Sequence, residues 1–263
     1  AEDGLNIVLT IDEVIQHYVE KALAKAKEAS KADRVMCIVM EPKTGYILAM
    51  AIDPDFDPNN PRVPLDETEA AYVEGLSDKE KLEYWNKMWR NPIVSDVYEP
   101  GSTSKLLTTA IALEENLTSL EDTFVCNGSY QVAGVTLHCW KAGGHGHQTL
   151  IEAVGNSCNP VFSALAQRTG KEKFYEYMQL FGMTEKTGID YPGEGGSIVY
   201  TPDKTGPVEL TTMSYGQGIA VTMLQQITAA SSLGNDGKLM QPRLVKALKD
   251  SDGNTIKTFE PTV

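Results

Sequence analysis

The segment Tyr98-Glu99-Pro100-Gly101-Ser102-Thr103-Ser104-Lys105 breaks the chain at Pro-Gly and restarts it as an apolar helix running to about residue 115. A serine at such a start is most often an N-cap. The same spacing also suits chemistry. Positions i and i+3 share one helix face, so the Lys105 amine falls within reach of the Ser102 hydroxyl. A serine hydroxyl is a weak nucleophile until a neighbouring base takes its proton. A lysine becomes that base where burial favours its neutral form. The free N–H groups of a helix N-terminus suit a developing oxyanion. The chain holds one such S-x-x-K.

Fifty-five residues on stands its one S-x-N, Ser157-Cys158-Asn159. Serine and asparagine both favour turns, so a helix–helix turn is the plain reading. The chemical reading gives a second hydroxyl to relay protons with Lys105 and an amide to bind a substrate carbonyl. The two motifs are weak separately and strong in this order and spacing.

Cys158 belongs to a second grouping. Three of the four cysteines and three of the four histidines fall between positions 126 and 158. Four cysteines are too sparse for a disulfide scaffold, and clustering with histidine points to a metal. Cys126, Cys139, His145 and Cys158 are spaced C-x12-C-x5-H-x12-C. Buried thiols would also cluster, and the spacing is not that of a compact zinc knuckle. Three thiolates and an imidazole nevertheless suit a closed, tetrahedral, structural zinc site. His138, next to Cys139 in an extended strand, would point away. His147 rivals His145.

Composition narrows the class. Of 263 residues, 23 are Lys or Arg and 36 Asp or Glu, a net charge of −13 that argues against nucleic acid as partner. The longest unbroken apolar run, residues 46–52, is far short of the ~18 needed to span a bilayer. The opening Ala-Glu-Asp-Gly carries no targeting signal, so an anchor is expected outside this sequence. A strand is expected over residues 6–10, then a helix capped by Asp12. Residues 34–41 and 46–52 read as a hairpin through Pro42-Lys43-Thr44-Gly45. Ser77 to Glu80 is a capping-box pattern. Residues 124–137 read as a hairpin about Asn127-Gly128, residues 149–156 and 160–168 as helices, and 221–233 as another helix. The mixture suggests α+β, not a βαβ series.

Residues 98–105, Asn156 to Pro160 and the run Tyr215-Gly-Gln-Gly-Ile-Ala-Val-Thr222 together resemble the transpeptidase domain of class B penicillin-binding proteins. Residues 6–12, 40–50 and 56–60 fit it too, so the resemblance covers essentially the whole chain. It implies a penicillin-binding transpeptidase / serine β-lactamase-like α+β fold, an antiparallel sheet flanked by helices. Residues 1–263 would form one transpeptidase domain, with a helical lobe over about 60–235. The resemblance makes Ser102 the acylated nucleophile, Lys105 its base, and Ser157 with Asn159 the second catalytic element. The implied activity is serine-type D-Ala-D-Ala transpeptidation. Stem peptides of peptidoglycan are then cross-linked through an acyl-enzyme, and β-lactams acylate the same serine. The stretch 140–146, ending Gly-His-Gly, resembles the elongation and sporulation branch, some of whose members carry a metal beside the S-x-N loop. That likeness selects His145 over His147 and implies structural zinc. It also implies a membrane glycosyltransferase partner and a place on the outer face of the bacterial cell membrane, both through regions outside this sequence.

One departure bears on activity. The family's K-T-G follows Tyr-Gly-Gln-Gly, whereas the triplets at 43–45, 186–188 and 204–206 all precede it. The domain is therefore expected to be incomplete at its C-terminal end, and residues 1–263 alone to acylate poorly. Two alternatives stand beside transpeptidation. A serine β-lactamase or D,D-carboxypeptidase would pass the acyl group to water. A non-catalytic, zinc-stabilised cell-wall module would not need Ser102.

Overall fold

A computed structural model describes residues 4–263; Ala1 to Asp3, which open the stretch read for targeting, lie outside the described residues. Strand β1 (Asn6–Leu9) leads to Asp12, whose carboxylate accepts from the Val14 and Ile15 N–H groups and starts helix α1 (Glu13–Ser30). The hairpin follows as β2 (Val35–Met40) and β3 (Ile47–Asp53). Its turn uses Gly45 at φ 75°, where a Cβ would strike the Gln241 carbonyl. Alternate residues Ile47, Ala49 and Ala51 are buried, as a strand with one core face requires. Gln16 of α1 bonds the backbone N–H and C=O of Met50, fastening helix to strand.

A small helical arm comes next, α2 (Glu67–Glu74) and α3 (Asp78–Met88), the latter opened by the Ser77/Glu80 capping box. Helix α4 (Pro92–Ser95) and strand β4 (Val97–Tyr98) bring the chain to the Pro-Gly break. Beyond it the expected helix begins as a 3₁₀ turn, Gly101–Ser104, and becomes α-helical as α5 (Lys105–Glu114).

The hairpin expected about Asn127-Gly128 is not there. Strand β5 (Thr123–Cys126) pairs instead with β8 (Gly146–Thr149). Strand β6 (Ser129–Val132) pairs with β7 (Val135–His138) through Ala133-Gly134, both at positive φ. Gly128 has another use: at φ 91° it lets the carbonyl of Ala142 pass where a Cβ would sit. The Asn-Gly pair signals a tight backbone here, and the crowding comes from a loop fourteen residues downstream.

Helices α6 (Leu150–Gly155), α7 (Asn159–Thr169), α8 (Lys171–Leu180) and α9 (Pro207–Met213) complete the lobe. Strand β9 (Val221–Thr222) pairs with β4, and α10 (Met223–Leu233) starts at a Thr222/Gln225 capping box. Strands β10 (Val245–Lys249) and β11 (Thr255–Thr258) extend β1 into a three-stranded sheet that the sequence reading did not include. Among the described residues the strand ladders are antiparallel, with an isolated parallel bridge between Tyr46 and Arg243, and α1 and α10 pack on the β2–β3 hairpin. The architecture is α+β. Leu107, Ile111, Phe174, Met178, Leu210 and Met213 form one core, beneath α5 and between α8 and α9. Phe124, Leu150, Phe162 and Leu165 form a second, into which Cys126, Cys139 and Cys158 are packed. Among the described residues no helix is long and apolar enough to cross a membrane.

None of the three K-T-G triplets lies on a strand. Residues 43–45 turn the first hairpin, Thr187 and Gly188 bind the Glu194 carboxylate, and Thr205 bonds back to the Thr201 carbonyl just before α9.

Candidate active site

The 3₁₀ turn leaves Ser102 exposed and directs Lys105 inward, where it is only 3% exposed. The four catalytic candidates meet there. Lys105 Nζ lies 3.2 Å from Ser102 Oγ, 2.8 Å from Ser157 Oγ, 2.8 Å from the Ser157 carbonyl and 2.7 Å from Asn159 Oδ1. Ser157 Oγ in turn lies 2.9 Å from Ser102 Oγ. An ammonium has three hydrogens and faces four acceptors here. A neutral amine would give its two N–H groups to the Ser157 carbonyl and Asn159 Oδ1 and turn its lone pair to Ser102, whose proton is left free because Ser157 Oγ donates to Ser102 Oγ. Burial pulls the Lys105 pKa down to about 8, against the nearby Cys139 and Cys158 sulfurs, which favour the charged form. The Phe162 and Tyr215 rings, 5.4 and 6.0 Å from Nζ, line the rest of its surroundings.

The loop between α6 and α7 presents Ser157 with φ at 50°, a left-handed backbone rare outside glycine. That twist lets its hydroxyl and its carbonyl face the same amine. Across the site, residues 215–218 brace the turn that carries Ser102. Gly101 N–H donates to the Gly216 carbonyl at 2.9 Å, and Gly218 N–H to Glu99 Oε1 at 2.8 Å. A Cβ on Gly216 would run into the backbone of Gly101, so the Tyr-Gly-Gln-Gly run is small because the Pro-Gly-Ser turn lies on it. Gly216→Ala is expected to cost more than ~1 kcal/mol, since it adds strain at φ 76° as well as the clash. It should slow acylation by displacing Ser102. A melting temperature and acylation rate both equal to the parent's would show that the contact has slack.

Behind the loop, Cys126, Cys139, His145 and Cys158 present one donor atom each, all within 4.8 Å of one another. Cys126 closes β5, Cys139 follows β7, His145 precedes β8, and Cys158 sits at the N-cap of α7. His145 Nδ1 is 3.6 Å from Cys139 Sγ. Gly144, at φ 72°, lets the intervening loop lie against the backbone of Cys126 and Gly128. His147 and His138 stand exposed on the other faces of their strands, and Cys37 lies apart in β2.

The donor set fits a soft cation. The three cysteines are free thiols, all buried. Burial pushes the Cys158 pKa up to about 12, whereas Cys126 is held below the usual thiol range. At Cys126 burial still acts upward but is outweighed by the N–H groups of Gly128 and His145 and by its neighbouring sulfurs. Burial, then the Lys141 and Lys105 charges, lowers His145. Anions so crowded ionise together only around a positive ion. Trp140, 67% exposed, covers the centre's rim; its ring meets His145 edge-on at 5.3 Å and its N–H donates to the Asn156 carbonyl at 2.9 Å. The sequence reading places Glu99 and Gly216 in the quoted motifs but assigns them no contact, and gives Phe162 no part, since those contacts join distant segments.

The α+β fold, with its S-x-x-K helix start set against an S-x-N loop, is that of penicillin-binding transpeptidase domains. Residues 35–263 match the family described as Penicillin binding protein transpeptidase domain, and the chain belongs to that family. It is 41% identical over 262 residues to Stage V sporulation protein D of Bacillus subtilis, covering 99% of this chain and 38% of that protein. To Penicillin-binding protein PbpB of Mycobacterium tuberculosis it is 33% identical over 262 residues, covering 99% of this chain and 35% of the relative. The crystal structure of penicillin binding protein 3 from Mycobacterium tuberculosis, complexed with aztreonam, superposes with a TM-score of 0.84 at 32% identity, over 100% of this chain and 54% of that one. The chain thus spans well under half the length of these two relatives.

Proposed function

We propose that the chain carries the acylation centre of a peptidoglycan D,D-transpeptidase of the serine type, with Ser102 as nucleophile. The observation that carries this reading is the Lys105 amine, held simultaneously on Ser102, Ser157 and Asn159. Neutral Lys105 takes the Ser102 proton as Oγ attacks the carbonyl carbon between the two D-alanines of a stem peptide. The tetrahedral centre collapses to an ester on Ser102, and the terminal D-alanine leaves as its amine. Ser157 Oγ, touching both Ser102 and Lys105, passes the proton to that leaving nitrogen. An amine of a neighbouring strand then attacks the ester and restores the serine. Asn159 orients Lys105 and offers its amide to the substrate backbone.

Relatives support the substrate class. Two Neisseria proteins at 28–29% identity are named probable peptidoglycan D,D-transpeptidases, and the aztreonam and ampicillin complexes of the mycobacterial protein support β-lactams as ligands. The likeness to the Bacillus subtilis protein supports a sporulation role. A peptidoglycan substrate places the site outside the membrane, with the anchor and a glycosyltransferase contact in other parts of the protein. Cys126, Cys139, His145 and Cys158 would hold zinc, which supplies a structural cross-link; four protein ligands leave no position for a reactive water.

Peptide mapping after exposing the full-length protein to penicillin should place a single adduct on Ser102, lasting long enough to isolate. An adduct on Ser157 or Ser104, or none, would refute the assignment. Rapid hydrolysis of the adduct would assign the protein to the β-lactamases instead.

A further inference from the structure

Gln148 is a polar residue in the middle of β8, yet it is only 3% exposed. Both ends of its amide are engaged. Nε2 donates to Cys158 Sγ at 3.0 Å, and Oε1 accepts from Asn156 Nδ2 at 3.1 Å. These two partners are the immediate neighbours of Ser157, the residue with the left-handed backbone. Such a conformation persists in a non-glycine residue where the surroundings over-determine it. Here they do: the Trp140 N–H holds the Asn156 carbonyl, and the loop's own N–H groups at 157 and 158 bond the carbonyls of Val154 and Ala153. Among the described residues, Gln148 is the side chain that bonds the loop's side chains on both sides of Ser157.

We propose that Gln148 is a positioning residue, its amide straddling Ser157 so that the Ser157 hydroxyl and carbonyl stay aimed at Lys105. The inference rests on the reading of Ser102, Lys105 and Ser157 as the acyl-transfer machinery. It also joins the two centres: the amide that steadies the loop at Asn156 donates to the sulfur of Cys158, one of the clustered cysteines.

The test uses the full-length protein and a fluorescent penicillin, resolving the acylation rate constant from the saturation constant of the preceding complex. Zinc content and melting temperature are measured on the same samples. Gln148→Leu keeps the side-chain bulk and loses both bonds. Its acylation rate constant is expected to fall on the order of 10- to 100-fold, the usual effect of removing a group that orients a site. The saturation constant should stay where it was, with the protein folded at the assay temperature. Asn156→Ala should show the same split, and the double variant should be no slower than Gln148→Leu, because the two residues share one bond. A parent-like rate constant in Gln148→Leu overturns the proposal. So does a joint loss of both constants that tracks a fallen melting temperature, which marks a residue needed only for folding. If Gln148→Leu does not fold, Asn156→Ala decides by the same criteria. A parent protein whose adduct is absent, or survives Ser102→Ala, refutes the underlying reading instead, and the proposal with it.

Discussion

Lys105→Met should slow acylation of Ser102 by about 10²- to 10⁴-fold, the usual contribution of a well-placed general base. Methionine matches the unbranched stem and fills the same buried channel against Phe162, so the loss reports the amine and not a cavity. Charge alone is ruled in or out by Lys105→Arg. An arginine keeps the cation and several hydrogen bonds but does not deprotonate in a protein, so it cannot take the Ser102 proton. If Arg restored most of the rate, the amine would be an electrostatic support and not a base. The pH profile gives a second check. With the Lys105 pKa lowered to about 8 by burial, the reactive neutral form is scarce below that pH and predominates above it. Acylation of the parent should therefore rise through pH 7 to 8 and level off above, in a stopped-flow series with a neutral β-lactam ester. A rate that falls as pH rises would contradict the base assignment.

Cys158→Ser should remove the metal and destabilise the domain by several kcal/mol, since the affinity of a closed thiolate site adds directly to folding. At roughly 2–4 °C per kcal/mol for a domain of this size, a drop on the order of 10 °C in melting temperature is expected. Acylation should slow as well, because Cys158 lies between Ser157 and Asn159. Elemental analysis should find about one zinc per parent chain and little in Cys158→Ser or His145→Ala. His147→Ala and Cys37→Ser should keep it, since neither residue lies in the cluster. If His147→Ala loses zinc and His145→Ala retains it, the fourth ligand is misassigned. A metal-free parent of undiminished stability would reduce the cluster to buried thiols.

What could be read without coordinates was local or compositional. Helix α1 announced itself by its Asp12 cap, and the first hairpin by β-branched runs about a glycine. Ser102 with Lys105, and the Cys/His grouping, were legible because reactive residue types are rare and their spacing is informative. Long-range pairing was not. Asn127-Gly128 carried a hairpin signal, but the glycine serves a backbone crossing by Ala142, and β5 found its partner at β8. Strands β10 and β11 are short and lysine-rich, with β11 wholly exposed, so the apolar alternation that betrays a strand is faint. Gln148 is invisible in sequence for a different reason. A buried amide is recognised by what it touches, and both its partners lie eight to ten residues away, beyond helix α6.

Ser157, Cys158 and Asn159 alternate between two neighbourhoods, the outer pair meeting Lys105 and the middle residue meeting sulfur and Gln148. Three consecutive positions thus answer to two selections at once. A substitution that shifts Ser157 or Asn159 therefore also shifts the sulfur held between them, and one at Cys158 moves both polar groups that face Lys105. The loop has little room to vary.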